Sequence, residues 1–299
     1  MTRLRVPESL QAIVKHDEPL WRHTSMRVGG PACVFAEPRT IEELVAFMKW
    51  ASAQAVPTYV LGAGTNVIFG DRGFHGAVIA MSSGPMQLEE RAGLISVSAA
   101  TPLSRVAWEM ARRGLSGLEF ACGIPGSVGG GVVMNAGTKH GEVGDTLVHV
   151  LAQGPEHPEP DIVSTAQLEL GYRTSSLRGR RGRIAIRAAF RLESTDPDKC
   201  LARARHWVKE RSERLPTGAS SGCIFRNPSP EMPAGRLIDE AGCKGLRVGS
   251  ARVTDCHANF ILNEGTNNAS EVLSLIDRVK REVNARFGIE LTEEVEIVE

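Results

Sequence analysis

The run FACGIPGSVGGGVVMNAGT, from Phe120 to Thr138, carries no charge and is long enough to cross a bilayer, yet it cannot do so as a helix. Six glycines, a proline, an asparagine and a serine interrupt it, and backbone broken so often would leave polar groups unpaired in lipid. Glycine lets the chain turn sharply and lets successive N–H groups point into one concavity, a nest that suits phosphate. A second loop of this kind, Gly62-Ala63-Gly64-Thr65-Asn66, lies between the apolar runs ending at Leu61 and starting at Val67. Either loop alone is accounted for by tight turns and close packing. Two in one chain suit a long dinucleotide such as FAD better than a mononucleotide. The usual dinucleotide fingerprint needs a third glycine at position 67, which is Val, and no Lys-Ser/Thr pair follows to make a P-loop.

The 299 residues suffice for two or three domains. Basic and acidic residues balance at 35 each, so no overall field draws the chain to nucleic acid or a membrane surface. Aromatics make up only 5%, which argues against base-stacking platforms. The segment MTRLRVPESLQAIVKHDEPL is too broken by charge for a signal peptide. The expectation is a cytoplasmic monomer with no nucleic-acid or membrane partner. Six cysteines, at 33, 122, 200, 223, 243 and 256, form no CxxC pair and no zinc spacing, so neither disulfides nor a metal site is expected.

The mixed order of elements argues for an α+β fold. In TIEELVAFMKWASAQ, Thr40 and Glu43 predict a capping box at the start of a helix. VPTYVLGAGTNVIF reads as strand, glycine turn, strand. TPLSRVAWEMARRG predicts a helix with Thr101 at the N-cap, Pro102 at the first helical position and Gly114 as the stop. A further helix starts at Asn268, with an apolar stripe of Val272, Leu273, Ile276, Val279 and Val283, and ends at Gly288. AQGPEHPEPDIVST predicts a hairpin tip, and ESTDPDK a boundary near 195 with Asp196 and Pro197 opening another helix.

HTSMRVGGPA, LGAGTNVIFGDRGFHGAVI, GLSGLEFACGIPGSVGGGVVMNAG, GYRTSSLR, HANFILN and LTEEVEIV occur in that order. Together they closely resemble the UDP-N-acetylenolpyruvoylglucosamine reductase (MurB) family, from about residue 20 to the last residues. The resemblance implies the FAD-binding fold of the vanillyl-alcohol-oxidase and p-cresol-methylhydroxylase (PCMH) type, followed by an α+β substrate-binding domain. It divides the chain into FAD-binding subdomains at 1–75 and 76–195 and a substrate domain at 196–299. It implies non-covalent FAD, NADPH as co-substrate, and reduction of UDP-GlcNAc-enolpyruvate to UDP-N-acetylmuramate for peptidoglycan synthesis. The short stretch from Tyr172 to Cys223 resembles the compact family type without a tyrosine loop.

The implied chemistry needs hydride at the terminal vinyl carbon, stabilisation of the enolate that follows, and a proton for the neighbouring carbon. Arg173, in GYRTSSLR, aligns with the family's catalytic arginine; a guanidinium can grip a carboxylate with two parallel bonds. Seven arginines lie between 173 and 191, and the others read as solvated charges. Glu294, in LTEEVEIV, aligns with the catalytic glutamate, with Glu293 facing the other way if this is a strand. Its alternative is a surface carboxylate on a last strand.

SGCIFRNP holds the main departure. The family pattern Gly-Ser-x-Phe-Lys-Asn-Pro appears here as Gly222-Cys223-Ile224-Phe225-Arg226-Asn227-Pro228, so a thiol takes the place of the proton-donating serine. A thiol, of pKa about 8.5, is protonated at neutral pH and far more acidic than an alcohol, though a weaker hydrogen-bond donor. As a free cysteine it could also be a small buried hydrophobe. By resemblance Gly62, Ala63, Gly64, Thr65, Asn66, Gly123, Ile124, Pro125, Gly126, Ser127, Gly129, Gly130, Asn135, Ala136 and Gly137 bind the cofactor. Tyr172, Arg214, Asn227, Lys244 and His257 contact the substrate, with Lys244 a phosphate partner. Two rival readings are another FAD-dependent alcohol or hydroxy-acid oxidoreductase of the same fold, and a nucleotide-sugar-binding flavoprotein inactivated by the serine-to-cysteine change.

Overall fold

The computed structural model describes residues 4–81, 86–154, 159–178 and 183–299. The chain forms two compact units: one of residues 1–15, 34–63 and 76–211, the other of 16–33, 64–75 and 212–299. These units are interleaved along the chain, whereas the three-part division expected from sequence is linear and assigns roles rather than packing.

In the first unit, helix α1 (Ile41–Ala53) opens where Thr40 predicted it. Thr40 Oγ1 accepts from Glu43 N–H at 3.2 Å, but the Glu43 carboxylate accepts from Arg39 N–H at 2.7 Å instead of closing the box on Thr40. Its buried side chains, Leu44, Phe47 and Met48, pack against Val34, Ile79 and Ile186. Thr58–Leu61 lies parallel to the strand beside it, in register from Thr58 opposite Ala77 to Leu61 opposite Ala80. Helix α2 (Leu103–Arg112) starts one residue later than expected, with Pro102 itself as the N-cap. Pro102 is bridged to Ser127, and that pairing holds its ψ at 126°, extended instead of helical.

The five-stranded antiparallel sheet runs in the order Asp161–Ser164, Leu147–Gln153, Ile184–Phe190, Leu94–Ser98, Leu88–Arg91. The predicted hairpin therefore exists as the pair Leu147–Gln153 and Asp161–Ser164, though its tip at 155–158 lies outside the described residues. One core joins Val97, Val150 and Phe190 of this sheet to Leu103, Val106 and Met110 of α2 and to Val128 and Val132 of helix α3 (Val128–Val133). Helix α4 (Pro197–Ser212) opens at Asp196-Pro197 as predicted.

The second unit has its own core, in which Val272, Leu275, Ile276, Val279 and Val283 of a long helix meet Ile224, Phe225, Leu237 of helix α5 (Ala234–Glu240), and Val253. That helix, α6 (Ala269–Phe287), runs between Asn268 and the left-handed Gly288, as predicted. The predicted stripe named Leu273, which is only partly buried, and missed Leu275, which is wholly buried. The Asn268 side chain makes no cap bond. Instead the Asp71 carboxylate accepts from Ala269 N–H and, at 3.1 Å, from Ser270 N–H, a negative group on the positive helix end. Asp71→Ala should therefore destabilise the protein by about 1 kcal/mol; a urea midpoint no lower than wild type would show the cap to be idle. No described helix is long and apolar enough to cross a membrane.

Candidate functional site

Within the first unit the glycine run begins at Cys122 and passes through Gly126, whose φ of 129° favours glycine, into Ser127 at the N-cap of α3. Ser127 Oγ accepts from Gly130 N–H at 3.2 Å. Gly62 lies against this cap, since a Cβ on Gly62 would sit 2.7 Å from Ser127 Oγ. The two glycine loops thus meet at one point. The backbone N–H groups of Gly62, Ala63, Gly126 and Ser127 donate to no described residue. Such unspent donors, on exposed Gly62 and Ala63, half-buried Gly126 and buried Ser127 around a close approach only glycine permits, fit an anionic diphosphate. Gly129 packs on Ala99, and a Cβ on Gly123 would lie 3.1 Å from Arg211 Cδ at the end of α4. Ile124, Pro125 and Gly130 complete the loop.

The segment before the loop is fixed by a buried carboxylate. Burial pushes Glu119 up, but Gly117 N–H at 2.7 Å, Ser116 Oγ at 2.8 Å and the Arg203 guanidinium at 3.1 Å together hold it below the ordinary range. It is charged, and it ties α4 to the start of the glycine run. Cys122, next along, is pushed up to about 12 by its burial and by Glu119, so its thiol stays protonated and serves packing.

The far end of the run holds the candidate arginine. After Asn135 and Ala136, the Gly137 carbonyl accepts from Arg173 Nη2 at 2.9 Å. Arg173 occupies the tight turn Gly171–Thr174, whose ends exchange hydrogen bonds of 3.1 and 3.2 Å. Its φ of 56° is left-handed, which an arginine tolerates only under constraint. Its guanidinium also stands 5.2 Å from the ring of Tyr172, which is half exposed.

Within the second unit, Gly64, Thr65 and Asn66 adjoin both other reaction candidates. Gly64 is obligatory, as a Cβ would fall 2.0 Å from the His23 carbonyl. Its own carbonyl accepts from Ser25 N–H at 2.9 Å, while Ser25 Oγ donates to Ser220 C=O at 2.6 Å, just before Cys223. Asn66 Nδ2 donates to Glu294 C=O at 3.2 Å, and Glu294 N–H donates to Ile224 C=O at 2.7 Å. Residues 223–226 thus run between two neighbours, with Cys223 bridged to Phe260 and Phe225 bridged to Glu293. Cys223 is half-buried, not interior. Glu293 pairs with Lys280 of α6 at 2.8 Å. The expected strand begins only at Glu296, so Glu294 lies in the bend before it and the alternation expected for a strand does not apply.

Other expected contacts are more dispersed. Asn227 Oδ1 accepts from Ala234 N–H at 3.0 Å and opens α5. Lys244 is exposed and pairs with Asp239 at 2.6 Å. His257 sets its ring edge-on to Phe260, centroids 4.9 Å apart. Arg214 is exposed just beyond α4.

Sequence reasoning missed two residues of this framework, Ser25 and Asn259. Asn259 is 3% exposed and clamps Phe225 from both sides, Oδ1 accepting from its N–H at 2.9 Å and Nδ2 donating to its C=O at 2.8 Å. Both are polar residues inside motif blocks, and an amide between apolar neighbours in HANFILN was the available signal.

Residues 32–153 match the FAD binding domain family, and residues 214–298 match the C-terminal domain of UDP-N-acetylenolpyruvoylglucosamine reductase. A UDP-N-acetylenolpyruvoylglucosamine reductase of Chloroflexus aurantiacus is 37% identical, covering 98% of this chain and all of its own. Those of Rubrobacter xylanophilus and Bacillus subtilis are 40% and 36% identical, covering 95% and 94% of this chain and 95% and 93% of their own. The crystal structure of the Thermus caldophilus enzyme superposes with a TM-score of 0.81 at 38% identity, covering 96% of this chain and 98% of that one.

Proposed function

The chain belongs to the UDP-N-acetylenolpyruvoylglucosamine reductase (MurB) family, and from that premise we propose that it uses NADPH and FAD to reduce UDP-GlcNAc-enolpyruvate to UDP-N-acetylmuramate. Balanced, the reaction takes the vinyl ether, NADPH and one proton to the lactyl ether and NADP+. FAD, when bound, supplies the hydride relay from NADPH to the terminal vinyl carbon. The unspent N–H groups of the glycine loops would hold its diphosphate, and the FAD binding domain match covers both loops.

The protein's own groups do the rest. Arg173 grips the substrate carboxylate as negative charge develops there, with a fork that can meet it by two parallel bonds. Cys223 gives its thiol proton to the carbon beside that carboxylate. Glu294 is held by its backbone bonds to Asn66 and Ile224. The observation that supports this reading is the hydrogen-bonded succession Asn66, Glu294, Ile224, in which the backbone of Glu294 runs between a residue of the glycine loop and the neighbour of Cys223. Tyr172, Arg214, Asn227, Lys244 and His257 are proposed to hold the nucleotide sugar. Peptidoglycan synthesis in the cytoplasm is the setting this reaction implies, and a monomer is the proposed state.

The direct test is anaerobic: reduce the protein-bound FAD with NADPH, add UDP-GlcNAc-enolpyruvate, and follow the oxidised-flavin absorbance. Its return with formation of UDP-N-acetylmuramate supports the assignment. A cofactor that reduces and stays reduced would favour an inactive flavoprotein in which cysteine has cost the second half-reaction. Gly62→Ala is a separate check on the cofactor loop. The added methyl would crowd Ser127 Oγ at 2.7 Å, so the dissociation constant for FAD should rise by about tenfold or more, equivalent to roughly 1.4 kcal/mol. Titration of apoprotein by flavin fluorescence reads it, and unchanged affinity would remove Gly62 from the cofactor site.

A further inference from the structure

Asn135 closes α3 in the first unit, with a left-handed φ of 41° and a side chain that is 0% exposed. Its Oδ1 accepts from Gly144 N–H at 2.8 Å, and its Nδ2 donates to Gly171 C=O at 3.2 Å. The partners force that orientation, because an N–H can face only the oxygen and a carbonyl only the amide nitrogen. At zero exposure neither end of the amide is open to a ligand. Gly171 is the first residue of the turn that carries Arg173. Two more bonds join the same stretch to the turn and to the residue that follows it: Arg173 Nη2 donates to Gly137 C=O, and Ser175 Oγ, just after the turn, donates to Val133 C=O at 2.9 Å. The end of the glycine run is therefore fastened to the strained turn and the residue after it at three points, and the Asn135 amide is the innermost.

We propose that Asn135 is a positioning residue for Arg173, holding the Gly171–Thr174 turn, and not a ligand of the cofactor. This deepens the reading of Arg173 as the carboxylate grip and rests on it. The glycine run thereby does two jobs: its beginning faces the cofactor, and its end sets the arginine. A displaced turn would move the guanidinium fork off the developing charge, where an error near 1 Å can cost about 100-fold.

Asn135→Asp keeps the size and the acceptor for Gly144 N–H but sets a carboxylate oxygen against the Gly171 carbonyl. In anaerobic stopped-flow on the holoenzyme, reoxidation by UDP-GlcNAc-enolpyruvate should slow by about 10- to 100-fold, with reduction by NADPH and the FAD dissociation constant near wild type. A purely structural role would lower the melting temperature without splitting the half-reactions. Equal slowing of both halves together with weaker FAD binding would return Asn135 to the cofactor and overturn the proposal, as would two unchanged halves. Arg173→Lys separates the premise: if it leaves reoxidation at the wild-type rate, the arginine assignment falls and this inference with it. If Asn135→Asp yields no folded protein, Ser175→Ala cuts a second tether and is read the same way. Several-fold slower reoxidation alone supports the proposal, and unchanged rates overturn it.

Discussion

Cys223→Ala is expected to slow substrate-dependent reoxidation of the protein-bound FAD by about 100- to 10,000-fold, the usual range for a positioned general acid, while reduction by NADPH keeps its rate. The separation follows from where the proton is needed. Hydride from NADPH requires no acid, whereas the enolate left on the substrate must be protonated at carbon. The proposed role rests on the position of Cys223, half-buried beside Ile224, whose carbonyl accepts from Glu294 N–H. The interior thiols Cys122, Cys200 and Cys243 are by contrast all raised by burial. Cys223→Ser should restore most of the rate, since the hydroxyl is the better hydrogen-bond donor though the weaker acid. Both half-reactions unchanged in Cys223→Ala would sink the assignment.

Arg173→Lys should lower the same half-reaction by about 100- to 1,000-fold, as loss of a preorganised charge-stabilising group does. Lysine keeps the charge and loses the fork that meets a carboxylate with two bonds. The turn makes a second comparison informative. The left-handed φ of 56° costs a non-glycine residue about 1–3 kcal/mol. Arg173→Gly relieves that cost and forfeits the bond to the Gly137 carbonyl, worth about 1 kcal/mol. Thermal stability should therefore hold or rise slightly while substrate reduction collapses. Wild-type turnover in Arg173→Lys would show that the guanidinium is not the grip, and a large loss of stability in Arg173→Gly would show that the turn depends on the arginine.

Much of this candidate site could be proposed from sequence because its residues sit in motifs whose chemistry is local. Helix ends were legible at Thr40, Gly114 and Gly288, where a side chain or an achiral residue satisfies its own neighbourhood. They slipped where a distant partner intervened. Pro102 stays extended because Ser127 bridges it, and α6 is capped by Asp71 instead of by the Asn268 side chain. The stripe of α6 was misjudged at Leu273 and Leu275 because periodicity gives a face but not how far the neighbouring layer reaches around it.

By itself the sequence determined the α+β class, the two glycine loops, the family, and the thiol that replaces serine, since each depends on residue type at close spacing. Only the tertiary structure decided that Gly62 meets Ser127, that Asn135 fastens the Arg173 turn, that Asn259 clamps Phe225, and that Glu294 lies beside Ile224. Those contacts join residues 34 to 70 positions apart. They are fixed by which buried donor finds which acceptor once the cores have closed, and no local pattern in the chain encodes that pairing.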